Sequence, residues 1–269
     1  MNKTISIIAL SLLGFIAFVA QSVFAHQPRI VEGEVIEVID PEVSKAFYGE
    51  LSGNPHVYTI TSSEAFELYV GILMPYAEDS PKDVQAEIRK GDTVIDVIGG
   101  KDATWTDMFE FFGQSKYWDG GEYKKSVESG EYTIVVSSLT NTSKYSLAVG
   151  NIEAFDGKET VNALHLIPQL KNNFFDESAI SFIKSPFGWG YIIIMYILAF
   201  LFGFLYRYVL KKFATNTVSK KQHNIGLMDR LLRLAIGLAL LLLAITTSWS
   251  PWLLFFSGFA LFESLFSWC

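Results

Sequence analysis

The residues best suited to chemistry are a few histidines, one cysteine and one carboxylate inside an apolar stretch. Val23-Phe24-Ala25 places small residues where a signal peptidase reads, so cleavage after Ala25 would make His26 the mature N-terminus. A terminal histidine offers its amine and imidazole to copper together, and with His56 or His165 it would complete a three-nitrogen site. The plainer reading is that the peptidase simply leaves a histidine there. Glu263 lies within the last apolar run, where a carboxylate facing lipid is costly and needs a partner. It is either a proton or ion relay or half of a structural pair with Arg230 or Arg233. Cys269 is the single cysteine, so no intrachain disulfide is possible, and at this end of the sequence it cannot serve as a lipoprotein cysteine. No Gly-x-Ser-x-Gly elbow, His-Glu-x-x-His pair or Gly-x-x-x-x-Gly-Lys loop occurs. The expectation is no enzyme, no catalytic residue and no cofactor other than possible copper.

A second candidate is a dense aromatic stretch, Trp105 to Gly113 followed by Tyr117 to Tyr123. Trp105, Phe109, Tyr117, Trp118 and Tyr123, flanked by acids, suit a sugar ring or a peptide side chain. The competing reading is a loop that folds over the domain and caps its core.

The elements that must position these residues fall into two unlike halves. Lys3 and the apolar run Ile5 to Val19 complete the signal over 1–25, against the competing reading of an uncleaved anchor helix. From His26 to Phe187 there are 26 acids against 13 bases, a net of −13 that argues against nucleic acid as a partner. That half is rich in short alternating runs: Ile30 to Ile39, Val57 to Thr61, Phe66 to Met74, and Val84 to Arg89 with Thr93 to Ile98 across Lys90-Gly91-Asp92. The clearest unit is Gly130 to Val136 and Lys144 to Val149, joined by polar residues around Asn141 and expected to form an antiparallel hairpin. Glu159 to Leu170 is expected to be a helix ending near Pro168, and Phe174 to Ile183 a second short helix.

Gly130, Tyr132, Ile134 and Val136, then Tyr145, Leu147 and Val149, resemble the final strands of the bacterial pre-peptidase C-terminal type of β-sandwich, over roughly His56 to Gly150. The resemblance implies a binding or accessory module of the kind that accompanies secreted enzymes.

The remaining third reads as membrane. Gly188 to Tyr208 carries Arg207 as its single charge and spans roughly 31 Å as a helix. The bases that follow, Lys211, Lys212, Lys220 and Lys221, place that end in the cytoplasm. Leu231 to Thr247 then returns outward and Trp252 to Trp268 runs back in. The interface belts would be Trp189, Tyr191, Trp249 and Trp252 outside, with Tyr206, Tyr208 and Trp268 inside.

Asn224, Gly226, Asp229, Arg230, Arg233 and Gly237, with a Leu-rich helix and a second helix ending in Cys269, resemble the YgaP-type inner-membrane domain. That family is a two-helix hairpin found alone or fused to soluble domains such as rhodaneses. Asp229 and Arg233 stand at i, i+4, and Gly237 permits close helix contact. The family usually continues past the cysteine, so a truncated fragment is one reading. No rhodanese is implied, because that enzyme needs a loop cysteine in its soluble domain.

The expected fold class is therefore an all-β, jelly-roll-like sandwich outside the cytoplasm plus an α-helical membrane region of three transmembrane helices. The domains would be 26–155 sandwich, 156–187 connector, 188–210 first span, 211–228 basic loop and 229–269 hairpin. Expected partners are the lipid membrane, an envelope glycan or protein, and a second copy through the hairpin. The expected place is the plasma (inner) membrane, multi-pass, with the C-terminus cytoplasmic.

Overall fold

The alternating runs of the acidic half form two β-sheets, and the apolar runs form helices. The structure, a computed structural model, describes residues 26–111, 113–154, 156–213 and 225–266. Residues 1–25, where a signal is expected, and Phe112, Lys220, Lys221, Asn224, Trp268 and Cys269 lie outside the described residues. Among the described residues there are eleven strands: β1 (Gln27–Ile30), β2 (Val35–Glu37), β3 (Lys45–Glu50), β4 (His56–Ser62), β5 (Phe66–Pro75), β6 (Gln85–Lys90), β7 (Thr93–Gly99), β8 (Thr106–Glu110), β9 (Ser115–Val127), β10 (Gly130–Ser137) and β11 (Lys144–Val149). One sheet has the order β1-β3-β11-β5-β9-β8 and the other β2-β4-β10-β6-β7. Two pairs are parallel, β1 with β3 and β2 with β4, which departs from the antiparallel weave of a jelly roll.

The chain folds as two compact units. The first, residues 26–73, 82–105 and 120–156, holds most of both sheets. The second, residues 74–81, 106–119, 157–213 and 225–266, gathers the β8–β9 turn region with the helices found among the described residues.

Alternation builds the core of the first unit. Tyr58 and Ile60 of β4, Leu68, Val70 and Ile72 of β5, Ile88 of β6, Ile134 and Val136 of β10 and Leu147 of β11 are all fully or almost fully buried. Phe47 and Phe66 meet Tyr58 and Tyr132 edge to face across the two sheets.

Three sequence expectations change here. Ile30 to Ile39 is not one strand: the chain breaks at residues 31–34, with Gly33 at φ 89°, and β1 and β2 join different sheets. Gly130 to Val149 is not a hairpin. β10 pairs with β4 and β6, whereas β11 pairs with β3 and β5, so residues 138–143 arch from one sheet to the other. Asp83 braces that arch by accepting from the Leu139 N–H at 3.2 Å and the Ser143 hydroxyl at 3.3 Å, while Asn141 takes the left-handed conformation. Trp105 to Tyr123 is not a loop but largely the antiparallel β8–β9 pair, in register from Thr106↔Asp119 to Glu110↔Ser115.

Close approach dictates one glycine. Gly49 of β3 faces Tyr145 of β11, and a Cβ on Gly49 would stand 2.6 Å from the ring. The Tyr145 hydroxyl is pinned by hydrogen bonds to His56 and Tyr58, so the ring cannot swing clear. Gly49→Ala is expected to cost about 1–3 kcal/mol as an overpacked core does, read as a lower midpoint for unfolding of the sandwich. An unchanged midpoint would mean that the ring relaxes freely.

The helices are α1 (Gly157–Asn173), a 3₁₀ turn (Ala179–Lys184), α2 (Pro186–Phe213), α3 (Leu227–Thr246) and α4 (Pro251–Phe266). Pro168 lies inside α1 rather than ending it, and Phe174 to Ile183 is irregular up to Ser178 and a 3₁₀ helix from Ala179 on. Pro186–Lys212 is, among the described residues, the one helix both long and apolar enough to cross a membrane. α3 carries Asp229, Arg230 and Arg233 in its first two turns, and α4 has only 16 residues. Three spans are therefore not established by length and composition.

Candidate functional site

The charged residues of α3 converge on the end of α4. Arg233 donates through Nη1 to Glu263, and its Nε stands 3.5 Å from Asp229 Oδ1 one turn earlier. Arg230 donates through Nε to the Ser264 carbonyl at 2.9 Å. These bonds satisfy a carboxylate and one of the last carbonyls of α4, which have no partner within their own helix. Gly237 lets the helices close: a Cβ there would meet Leu261 at 3.0 Å and the Ser257 carbonyl at 3.2 Å. The Ser257 hydroxyl donates to the Gly237 carbonyl at 2.8 Å and also meets the Tyr196 hydroxyl of α2 at 2.8 Å. The helix pair is thus tied by one ion-pair cluster and one serine.

Residues 221–269 match the family model "Inner membrane protein YgaP-like, transmembrane domain". Gly226, Asp229, Arg230, Arg233, Gly237 and Glu263 all lie inside that YgaP-like domain; the last five form the junction just described, and Gly226 is the N-cap of α3. Asn224 and Cys269 lie outside the described residues. The β-sandwich has a weak structural likeness to the pre-peptidase C-terminal domain of a collagenase from Bacillus anthracis: 12% identity, TM-score 0.28, covering 44% of this chain and 95% of that one. A β-glucosidase from Paenibacillus barengoltzii is matched at 8% identity and TM-score 0.23, over 47% of this chain and 13% of that one. No curated protein matches. The chain is thus a membrane protein that joins a β-sandwich to a YgaP-like domain.

The histidines are spread through the fold. His56 on β4 shares a hydrogen bond between its Nδ1 and the Tyr145 hydroxyl at 2.7 Å, which in turn meets the Tyr58 hydroxyl at 2.7 Å, a buried polar chain linking the two sheets. His26 Nδ1 shares a hydrogen bond with the Ser44 hydroxyl. His165 is exposed on α1. Among the described residues no group of three or more His, Cys, Asp or Glu is gathered to hold a metal. A chelate through His56 Nδ1 would have to break its bond to Tyr145.

Burial holds the imidazoles of His26 and His56 below the usual histidine range, with Glu34 opposing the shift at His56. It lifts the Tyr58 and Tyr145 phenols far above theirs. The folded state therefore binds fewer histidine protons than the unfolded state. The stability this confers is fully present above about pH 6.5 and is lost as pH falls below it. Chemical unfolding of the full chain in detergent should show a lower sandwich midpoint at about pH 5.5 than at about pH 7.5. The His26→Gln/His56→Gln variant should show a smaller drop, and an identical drop would assign the effect to carboxylates instead.

The aromatic residues divide rather than forming one surface. Tyr123 is buried, and Trp105 donates to the Gly100 carbonyl at 3.0 Å with its ring against Gly120. Tyr117 is buried edge to face on Phe175 at 5.2 Å. Tyr117 and Tyr123 are buried packing residues, whereas Trp105 is half-buried. Phe109 is 52% exposed, and Phe111, absent from the sequence-based candidates, is 49% exposed. Trp118 donates to the Ala77 carbonyl at 3.0 Å and stacks on Tyr76 at 4.7 Å.

Sequence reasoning also misses Lys171. Its side chain is fully buried, yet the ammonium donates to the Gln114 carbonyl at 2.7 Å, the Ser115 hydroxyl at 2.8 Å and Glu177 at 2.8 Å. Burial lowers its pKa and Glu177 opposes that shift. The signal available was a lone lysine near the end of an otherwise half-buried helix, which ordinarily reads as solvated.

Proposed function

We propose that this is an exported protein held in the inner membrane by three helices, α2 and the two of the YgaP-like domain. In this reading the sandwich stands outside the cytoplasm, and it works as a non-enzymatic recognition or accessory module for an envelope glycan or protein. The observation that carries the proposal is the long apolar helix, Pro186–Lys212, which follows the sandwich and ends in Arg207, Lys211 and Lys212. A basic flank of this kind stays on the cytoplasmic side, which puts the preceding half on the other. The acidic surface of that half favours a partner other than nucleic acid.

The test combines topology with capture. In a Cys269→Ser background, Thr93→Cys should react with an impermeant maleimide in intact spheroplasts, and Lys212→Cys only after lysis. A photo-crosslinking residue at the exposed Leu139 should trap an envelope protein, or the full chain in nanodiscs should sediment with purified cell-wall sacculi. Reversed labelling overturns the topology. Failure of both capture arms overturns recognition.

A further inference from the structure

We infer that the outer face of the β8–β9 hairpin rests on the lipid surface beside the anchor helices, with Phe109 and Phe111 in the interfacial layer and Lys116 against lipid phosphate. The inference relies on the membrane topology proposed above. It concerns only the second compact unit, to which residues 106–119 belong together with the helices.

The hairpin has two chemically different faces. In β8, Met108 and Glu110 are half-buried while Asp107 and Phe109 are exposed, and Phe111 continues the exposed series into the turn. The register sets Phe109 opposite Lys116 and Asp107 opposite Trp118. Lys116 Nζ lies 5.3 Å from the Tyr76 ring, which stacks on Trp118. One face thus presents aromatic rings and an exposed ammonium, with Asp107 at its far end from the turn.

The opposite face is fastened at the level of the helix ends. Lys171 grips the Gln114 carbonyl and the Ser115 hydroxyl, and Phe175 covers Tyr117. The very next residue, Asn172, donates to the Thr247 carbonyl in the turn between α3 and α4 at 3.4 Å, and accepts from the Ala179 N–H at 3.0 Å. Ala179 in turn accepts from Trp249 of the same turn at 2.9 Å. The hairpin turn is therefore one residue away from a direct contact with the end of the YgaP-like helix pair. At that end Trp252 is 70% exposed and Trp189 is 53% exposed, the composition of an interfacial belt. Phe109, Phe111 and Lys116 continue the same belt: exposed rings that gain by leaving water and a cation that gains from anionic headgroups. Of the rings on this face Tyr76 and Trp118 are already stacked on each other, and a protein partner would have to dock beside the bilayer.

The test is spin-label accessibility in the full chain with Cys269→Ser, reconstituted into phosphatidylethanolamine–phosphatidylglycerol vesicles. Nitroxides go at Phe109→Cys and Phe111→Cys, with Leu205→Cys on α2 as the lipid reference and Leu139→Cys as the aqueous one. Collision with a water-soluble nickel chelate is expected to be several-fold lower at 109 and 111 than at 139, and collision with oxygen higher. Labels at 109 and 111 as open to nickel as 139, with 205 protected, overturn the inference and leave the topology standing. A label at 205 open to nickel overturns both. Protection at 109 and 111 only after soluble envelope extract is added would assign the face to a protein or glycan and also overturn the inference.

Discussion

Arg233→Met in the full chain is expected to lower the stability of the YgaP-like helix pair by about 3–5 kcal/mol, because it strands a buried carboxylate. Glu263 keeps only a tenth of its side-chain surface exposed, and Arg233 a quarter. Glu263→Gln should cost less, since a neutral amide is easier to bury unpaired than a charge. The double variant Arg233→Met/Glu263→Leu should recover most of the loss, because apolar side chains of similar size replace the pair without any buried charge. The measurement is the SDS mole fraction at which helicity or helix proximity is lost in mixed micelles, taken through the complete double-mutant cycle. The decisive quantity is the coupling between the two sites. Single variants that each cost under about 1 kcal/mol, with no coupling, would describe a solvated surface pair and would return Glu263 to the relay reading.

That junction was legible in the sequence for a definite reason. A carboxylate in an apolar helix has few possible partners, and Arg230 and Arg233 are the charges that a two-helix hairpin brings to the same depth. The sandwich was less legible because alternation says that one face of a strand is buried without saying which strand lies beside it. Tyr132, Ile134 and Val136 point into the core, and so do Tyr145 and Leu147, whether β10 and β11 are neighbours in a sheet or face each other across it. The six-residue connection was the clue. A tight hairpin prefers two residues, whereas crossing between packed sheets separated by about 10 Å needs a longer arch. The β8–β9 pair was hidden for a different reason: Asp107-Met108-Phe109-Glu110-Phe111 mixes large apolar and acidic residues on both faces, so neither period stands out. In α1, Pro168 predicts a helix end that does not occur, since the missing N–H costs one bond and the helix continues to Asn173.

The aromatic candidates illustrate how residue type misleads about exposure. Of the five that suit a surface by type and spacing, Tyr117 and Tyr123 are buried and Trp105 is half-buried, because Trp and Tyr serve cores as readily as binding faces. Phe111, which composition alone does not single out, is the one left open beside Phe109. What distinguishes them is strand register near a turn, and register is not visible before the pairing partner is known.

Trp249→Ala carries the other large expected effect, about 3–5 kcal/mol for emptying a fully buried aromatic site. Its place in the sequence predicts an interface belt shared with Trp252, yet Trp249 is fully buried and Trp252 is mostly exposed. Its backbone takes φ 53° in the turn between α3 and α4, and this turns the indole under the 3₁₀ segment. There Nε1 donates to the Ala179 carbonyl at 2.9 Å and the ring meets Phe182 edge to face at 5.0 Å. Gly188 at the start of α2 leaves room for the ring, since a Cβ there would come 3.2 Å from Cη2. The residue thus pins three elements at one point: the helix-pair turn, the 3₁₀ segment and the head of the long apolar helix. Trp249→Phe should fall between wild type and alanine, keeping most of the ring contact while leaving the buried Ala179 carbonyl unpaired at about 1–3 kcal/mol. Trp252→Ala, measured in the same micelles, should change stability by under about 0.5 kcal/mol, as for an exposed position. A Trp249→Ala variant as stable as Trp252→Ala would mean that both tryptophans are belt residues and that the 3₁₀ segment is not anchored to the helix pair.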